Sequence, residues 1–115
     1  MGRSNGLHAL ELAQLIAKDI KELIDHFPPN APLGLRAQLG DAANSVHSNI
    51  AEGYGRVTTL ERRNKLRVAR GELEEAQSQL KVACRVHYIR DKDFYRLWNR
   101  TQALHRMLAR LARRP

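Results

Sequence analysis

Apolar residues recur along this chain at steps of three and four, and prolines and glycines cut the recurrence into four pieces. In the first, about residues 7–27, Leu12, Ile16, Ile20, Leu23 and Phe27 form one helical stripe. Phe27-Pro28-Pro29 ends it, because proline disfavours helical backbone in the residue before it. The second, about residues 35–52, carries Leu35, Leu39, Ala42, Val46 and Ile50. Gly53 and Gly55 follow, as expected where a helix exits through left-handed backbone.

The third piece, about residues 59–88, is the longest. Thr58 with Glu61 three residues on is a capping-box signature. Leu66, Ala69, Leu73, Ala76, Leu80, Ala83 and His87 make an unbroken heptad seam, whose alternating alanines let a neighbouring helix come close. Val82, Val86 and Ile89 are expected to widen the apolar face. Asp91 reads as the N-cap of the fourth piece, about residues 92–113, with Asp93 favourable in its first turn. Phe94, Leu97, Trp98, Thr101, Leu104, Leu108 and Leu111 form its inner face. No period-two pattern competes, so the expected fold is all-α, an up-down-up-down four-helix bundle forming one domain over residues 1–115.

A chain of 115 residues can build a core without metals or disulfides. The single cysteine, Cys84, makes no intrachain bridge and fits a reducing compartment. No apolar run approaches the roughly 18 residues that span a bilayer, and there is no secretory h-region, so a cytoplasmic protein without a membrane partner is expected.

Charge changes the picture more. The formal net charge is +8 and the pI about 10.4. Residues 1–89 hold 12 Lys or Arg against 10 Asp or Glu, whereas residues 90–115 hold 8 against 2. Three-quarters of the excess thus lies in the last quarter of the chain, pointing either to a polyanionic partner or to a solvated face that aids solubility.

The residues offer no catalytic constellation. His8, His26, His47, His87 and His105 lie on different segments without metal-ligand spacing. His87 reads as a packed or capping histidine and Cys84 as a buried, inert thiol. Gly53-Tyr54-Gly55 lacks the preceding strand and third glycine of a dinucleotide loop. Asp91 and Asp93 are explained as helix-start residues. The expectation is a non-enzyme with no cofactor, metal or small-molecule substrate.

Helix two carries a second, polar face in Ser45, Ser48, Asn49 and Glu52. Small uncharged groups there suggest close contact with helix three or with another subunit, against the plainer reading of a polar surface. The segment Ser45 to Arg56 reads S-V-H-S-N-I-A-E-G-Y-G-R. With Phe27-Pro28, with Leu35 and Gln38-Leu39, and with Ala69, Gly71, Leu73, Glu75, Gln79 and Leu80, it resembles a family of small bacterial four-helix-bundle proteins. These were first noticed as products of intervening sequences in large-subunit ribosomal RNA genes. Two departures stand out: Glu72 occupies the place of a family serine, and Pro28-Pro29-Asn30 lacks the usual acidic residue.

The resemblance implies a homo-oligomer, in the form of a pentameric ring or barrel of bundles. It also implies kinship with a more distant basic bundle, the accessory protein of diversity-generating retroelements, which associates with a reverse transcriptase and its RNA. In the residues themselves, Ser45, Asn49, Glu52, Gly53, Gly55 and Arg56 read as a structural or interface motif, with Arg56 able to pair with Glu52, Glu74 or Glu75. Arg96, Arg100, Arg106, Arg110, Arg113 and Arg114 are the candidate phosphate ligands for RNA or a nucleoprotein. Tyr54, Tyr88 and Tyr95 are the candidate stacking residues, Trp98 being better placed for the core. The competing reading has the basic helix docking an acidic protein or the acidic face (Glu72, Glu74, Glu75) of a neighbouring subunit.

Overall fold

The computed structural model describes residues 2–55 and 58–113, with side chains from Gly6 onward, so Arg56 and Arg114 lie outside the described residues. Four helices follow in order: α1 (Gly2–Asp25), α2 (Leu33–Tyr54), α3 (Thr59–Arg85) and α4 (Asp91–Arg113). Each packs on two neighbours, α1 on α2 and α4, α3 on α2 and α4, the pairing of an up-down-up-down bundle, and the molecule measures 46 × 23 × 17 Å. The α2–α3 interface is the most extensive and α1–α4 the least.

The α3 seam is the centre of this packing. Leu66, Ala69, Leu73, Ala76, Leu80 and Ala83 are all fully buried, as are Leu97, Thr101, Leu104 and Leu108 of α4. Leu39 and Ile50 of α2 and Ile20 of α1 complete the centre, and Ala9, Ala13 and Ile16 extend it along α1. Leu12, Leu23 and Leu35 stand half-buried at its rim. Val82 and Val86 are exposed, and only Ile89 of that expected second stripe is buried. Val82 projects from the side of α3 away from the seam and Val86 lies just past its end, so the seam alone defines its inner face.

Several boundaries differ from the sequence reading for local reasons. Helix α1 ends at Asp25, where the N–H groups of His26 and Phe27 donate to the Leu23 and Ile24 carbonyls (3.0 and 3.1 Å) in a tightened last turn before Pro28. Neither glycine after α2 is left-handed: Gly53 lies inside the helix and Gly55 has φ −89°. Helix α3 stops at Arg85 rather than Tyr88, because the chain turns through His87 at φ 65°. There the His87 and Tyr88 N–H groups donate to the Cys84 and Ala83 carbonyls (3.0 and 2.9 Å), a Schellman closure with histidine where glycine is usual. His87 is exposed rather than packed at the end of the seam. At α4 the Arg90 carbonyl accepts from Phe94 N–H (2.9 Å), which makes Arg90 the cap residue and Asp91 the first helical one. The Thr58 cap forms as expected, its hydroxyl accepting from Glu61 N–H at 3.1 Å.

Candidate nucleic-acid interface

The motif residues stitch α2 to α3. Asn49 Nδ2 donates to the Ser45 carbonyl and hydroxyl (2.8 and 3.0 Å), so the two small polar groups satisfy each other along α2. Glu52 pairs with Lys65 Nζ of α3 at 3.1 Å. Gly53 is buried where an added Cβ would meet Lys65 Cβ at 3.2 Å and the Arg62 carbonyl at 3.5 Å. Its missing side chain thus serves a close helix crossing and not a turn. Two further motif glutamines meet across the same interface, Gln79 Nε2 donating to Gln38 Oε1 (2.9 Å) and to Glu75 Oε1 (3.1 Å).

The proposed arginine row on α4 divides in two. Arg96 shares the Asp93 carboxylate with Arg90 (3.5 and 3.3 Å), and Arg100 pairs with buried Asp19 of α1. These guanidiniums are engaged in the protein's own ion pairs, so Arg96 and Arg100 do not join the others in one phosphate-binding row. Arg106, Arg110 and Arg113, at steps of four and three, share one exposed face and form no ion pair among the described residues.

The antiparallel packing adds what the order of residues conceals. Gln77 Nε2 of α3 donates to Thr101 Oγ1 and Gln102 Oε1 of α4 (3.0 and 2.9 Å), and His105 Nε2 lies 3.2 Å from Glu74 Oε2. Lys81 Nζ sits 4.8 Å above the Trp98 ring. Carrying this register toward the start of α3 sets Arg70 beside Ala109 and Arg67 beside Ala112. Arg67 is exposed and Arg70 half-buried, and neither forms an ion pair among the described residues. Arg67, Arg70, Arg106, Arg110 and Arg113 therefore share one end of the α3–α4 face. The sequence reading missed the two α3 residues because counting charge by chain segment balanced them against Glu72, Glu74 and Glu75.

The candidate stacking tyrosines are not gathered there. Tyr54 covers Gly6, where an added Cβ would fall 2.4 Å from its ring, and the Arg62 guanidinium lies 5.5 Å from its centroid. Tyr88 packs on Phe27 (5.5 Å), and Trp98 stacks on Phe94 (5.6 Å). Tyr95 is exposed but sits at the start of α4, at the opposite end of the bundle from Arg106 to Arg113.

No cluster of three His, Cys, Asp or Glu able to hold a metal occurs among the described residues. A groove of about 390 Å³ between α1 and the start of α4 is lined by Asp19, Glu22, His26, Asp93 and Arg96, its carboxylates Asp19 and Asp93 already holding arginines. Half-buried Cys84 donates to Asp91 Oδ1 at 3.6 Å. Burial first, then that hydrogen bond and the carboxylate charge, push its thiol above the ordinary value. No described helix is long and apolar enough to cross a membrane.

Four helices closed by a leucine–alanine seam, with arginines unpaired among the described residues collected at one end, define a basic four-helix-bundle protein. The chain belongs to the 23S rRNA-intervening sequence protein family, whose model matches residues 5–110. Its fold is similar to that of a protein of unknown function from the S23 ribosomal protein family of Bacteroides thetaiotaomicron VPI-5482. The TM-score is 0.89 at 18% identity, over 96% of this chain and 99% of the other. No curated protein matches it.

Proposed function

We propose that the protein is a non-enzymatic scaffold that binds RNA or a ribonucleoprotein through the basic end of its bundle, as an accessory to a reverse transcriptase would. The observation that carries this reading is the gathering of Arg106, Arg110 and Arg113 with Arg67 and Arg70, none held by a carboxylate among the described residues. Arginine is the stronger phosphate ligand of the two basic residues, since its planar fork meets two oxygens at once. In a homo-oligomer, a pentamer in the form the family resemblance implies, each copy would repeat the patch and multiply a weak contact.

The test is fluorescence anisotropy with a labelled structured RNA. Binding is expected at low salt and should weaken steeply as salt rises. Arg106→Gln with Arg110→Gln should remove most of it while the helical circular dichroism stays unchanged. Unchanged binding by that double variant, or no binding at low salt, would overturn the reading. A second reading is favoured by the charge on the other flank of α3, where Glu72 and Glu75 lie toward α2: the basic end of one copy docks the acidic flank of the next, or an acidic partner. Loss of oligomer mass in light scattering on Arg106→Glu with Arg110→Glu would favour that second reading.

A further inference from the structure

The α3–α4 face carries its cations in two rows with almost nothing aromatic between them. One row is Arg67 and Arg70 on α3. The other is Arg106, Arg110 and Arg113 on α4, which spans about 10 Å at 1.5 Å per residue. The axes of packed helices lie about 8–10 Å apart, which sets the scale of the separation between the rows. Beside Arg70 and Arg67 the register sets Ala109 and Ala112, short side chains that leave the arginines standing above the groove, and level with Arg106 the groove is closed by His105 meeting Glu74. The Arg70 Nε is buried without a hydrogen-bond partner among the described residues, which leaves the terminal nitrogens of its guanidinium as the groups able to meet a phosphate.

Single strands are held by stacking bases on aromatic rings as well as by charge. That platform is missing here: Tyr54 is engaged with Gly6 and Arg62, Trp98 lies between Phe94 and Lys81, and exposed Tyr95 belongs to the far end. Two parallel rows of guanidiniums, set on the fixed backbones of two packed helices, suit a ligand that itself offers two fixed rows of phosphates. A double helix does so along the edges of its grooves, and double-helical RNA is recognised largely by shape and backbone.

We infer that the α3–α4 face grips the paired phosphate backbones of an RNA double helix, Arg67 and Arg70 holding one strand and Arg106, Arg110 and Arg113 the other, without reading bases. This rests on the RNA-binding reading above and goes beyond it by naming the form of the ligand. A DNA duplex carries related chemistry, so it enters the test as a separate arm.

The experiment measures binding of the full chain to an RNA hairpin, to an unstructured single strand of equal length, and to a DNA hairpin, across a salt series. Five phosphate contacts predict a slope near −4.5 in log K against log salt for a duplex, roughly a 500-fold loss between 50 and 200 mM. Arg67→Gln with Arg70→Gln should lower that slope by about 2 and weaken the hairpin about tenfold or more. Lys18→Gln with Lys21→Gln removes equal charge from exposed positions on α1 and should leave binding nearly unchanged.

An unstructured strand bound as tightly as the hairpin would overturn the duplex inference and leave the RNA scaffold standing. A DNA hairpin bound more tightly than RNA would overturn RNA as the duplex. Equal losses from the α1 and α3 double variants would overturn the face, showing bulk charge alone. Failure of every nucleic acid to bind at 50 mM salt would overturn the scaffold reading together with this one.

Discussion

Arg100 of α4 reaches across the least extensive helix interface to Asp19 of α1, an aspartate only 5% exposed. This ion pair turns a candidate RNA ligand into a tie between the first and last helices. Removing one member of a buried pair costs about 3–5 kcal/mol, and partial exposure of Arg100 reduces that here to about 2 kcal/mol for Asp19→Leu or Arg100→Leu alone. Arg100→Leu combined with Asp19→Leu should recover most of the loss, because no buried charge is left unpaired. Urea denaturation of the two single variants and the double reads the coupling, and strictly additive losses would contradict it.

His87 holds a left-handed conformation that costs a residue with a Cβ about 1–2 kcal/mol. Its exposed side chain has no hydrogen-bond or ion-pair partner among the described residues. His87→Gly should therefore stabilise the protein by about 0.5–1 kcal/mol, after allowing for the greater freedom of glycine when unfolded. The check is a thermal midpoint raised by a few degrees; a lowered midpoint would mean the imidazole matters.

Two helical glycines should respond in opposite directions to alanine. Gly71 is exposed within α3 and an added Cβ would meet nothing within 4 Å, so Gly71→Ala should stabilise by about 0.5–1 kcal/mol through helix propensity. Gly53→Ala should destabilise by about 1 kcal/mol or more, since its Cβ would press on Lys65 Cβ and the Arg62 backbone at the α2–α3 crossing. Equal effects of the two substitutions would refute the close-crossing account.

Cys84 should react slowly with iodoacetamide near pH 8, because burial and the Asp91 carboxylate both disfavour the thiolate that attacks. Asp91→Asn removes the negative charge, lowers the thiol's pKa and should speed alkylation at that pH. Rates that match between wild type and variant would show that the carboxylate does not act on the sulfur.

The bundle was legible in the sequence because its signals are local. The Leu66–Ala83 seam and the Thr58–Glu61 cap each act within a turn or two of helix and both appear in the structure, while the stop before Pro28 falls at Asp25, two residues ahead of Phe27. The motif around Asn49 and Gly53 is equally visible, though in sequence its glycine reads as a helix exit. Only the position of Lys65 on the facing helix shows that it serves a crossing.

Charge is where sequence and structure part. By itself the chain determined four amphipathic helices, their order and an excess of arginine near its end, since periodicity and composition need no partner to be read. Arg96 is held by Asp93 three residues before it on the same helix, a local pairing, whereas whether Arg100, Arg67 and Arg110 are free was decided by tertiary structure. Asp19 and Arg100 stand 81 residues apart, and Arg67 and Arg110 lie on helices whose shared end exists only once α3 and α4 pack antiparallel. A charge's availability depends on what stands within a few ångströms of it, and folding alone sets that neighbourhood.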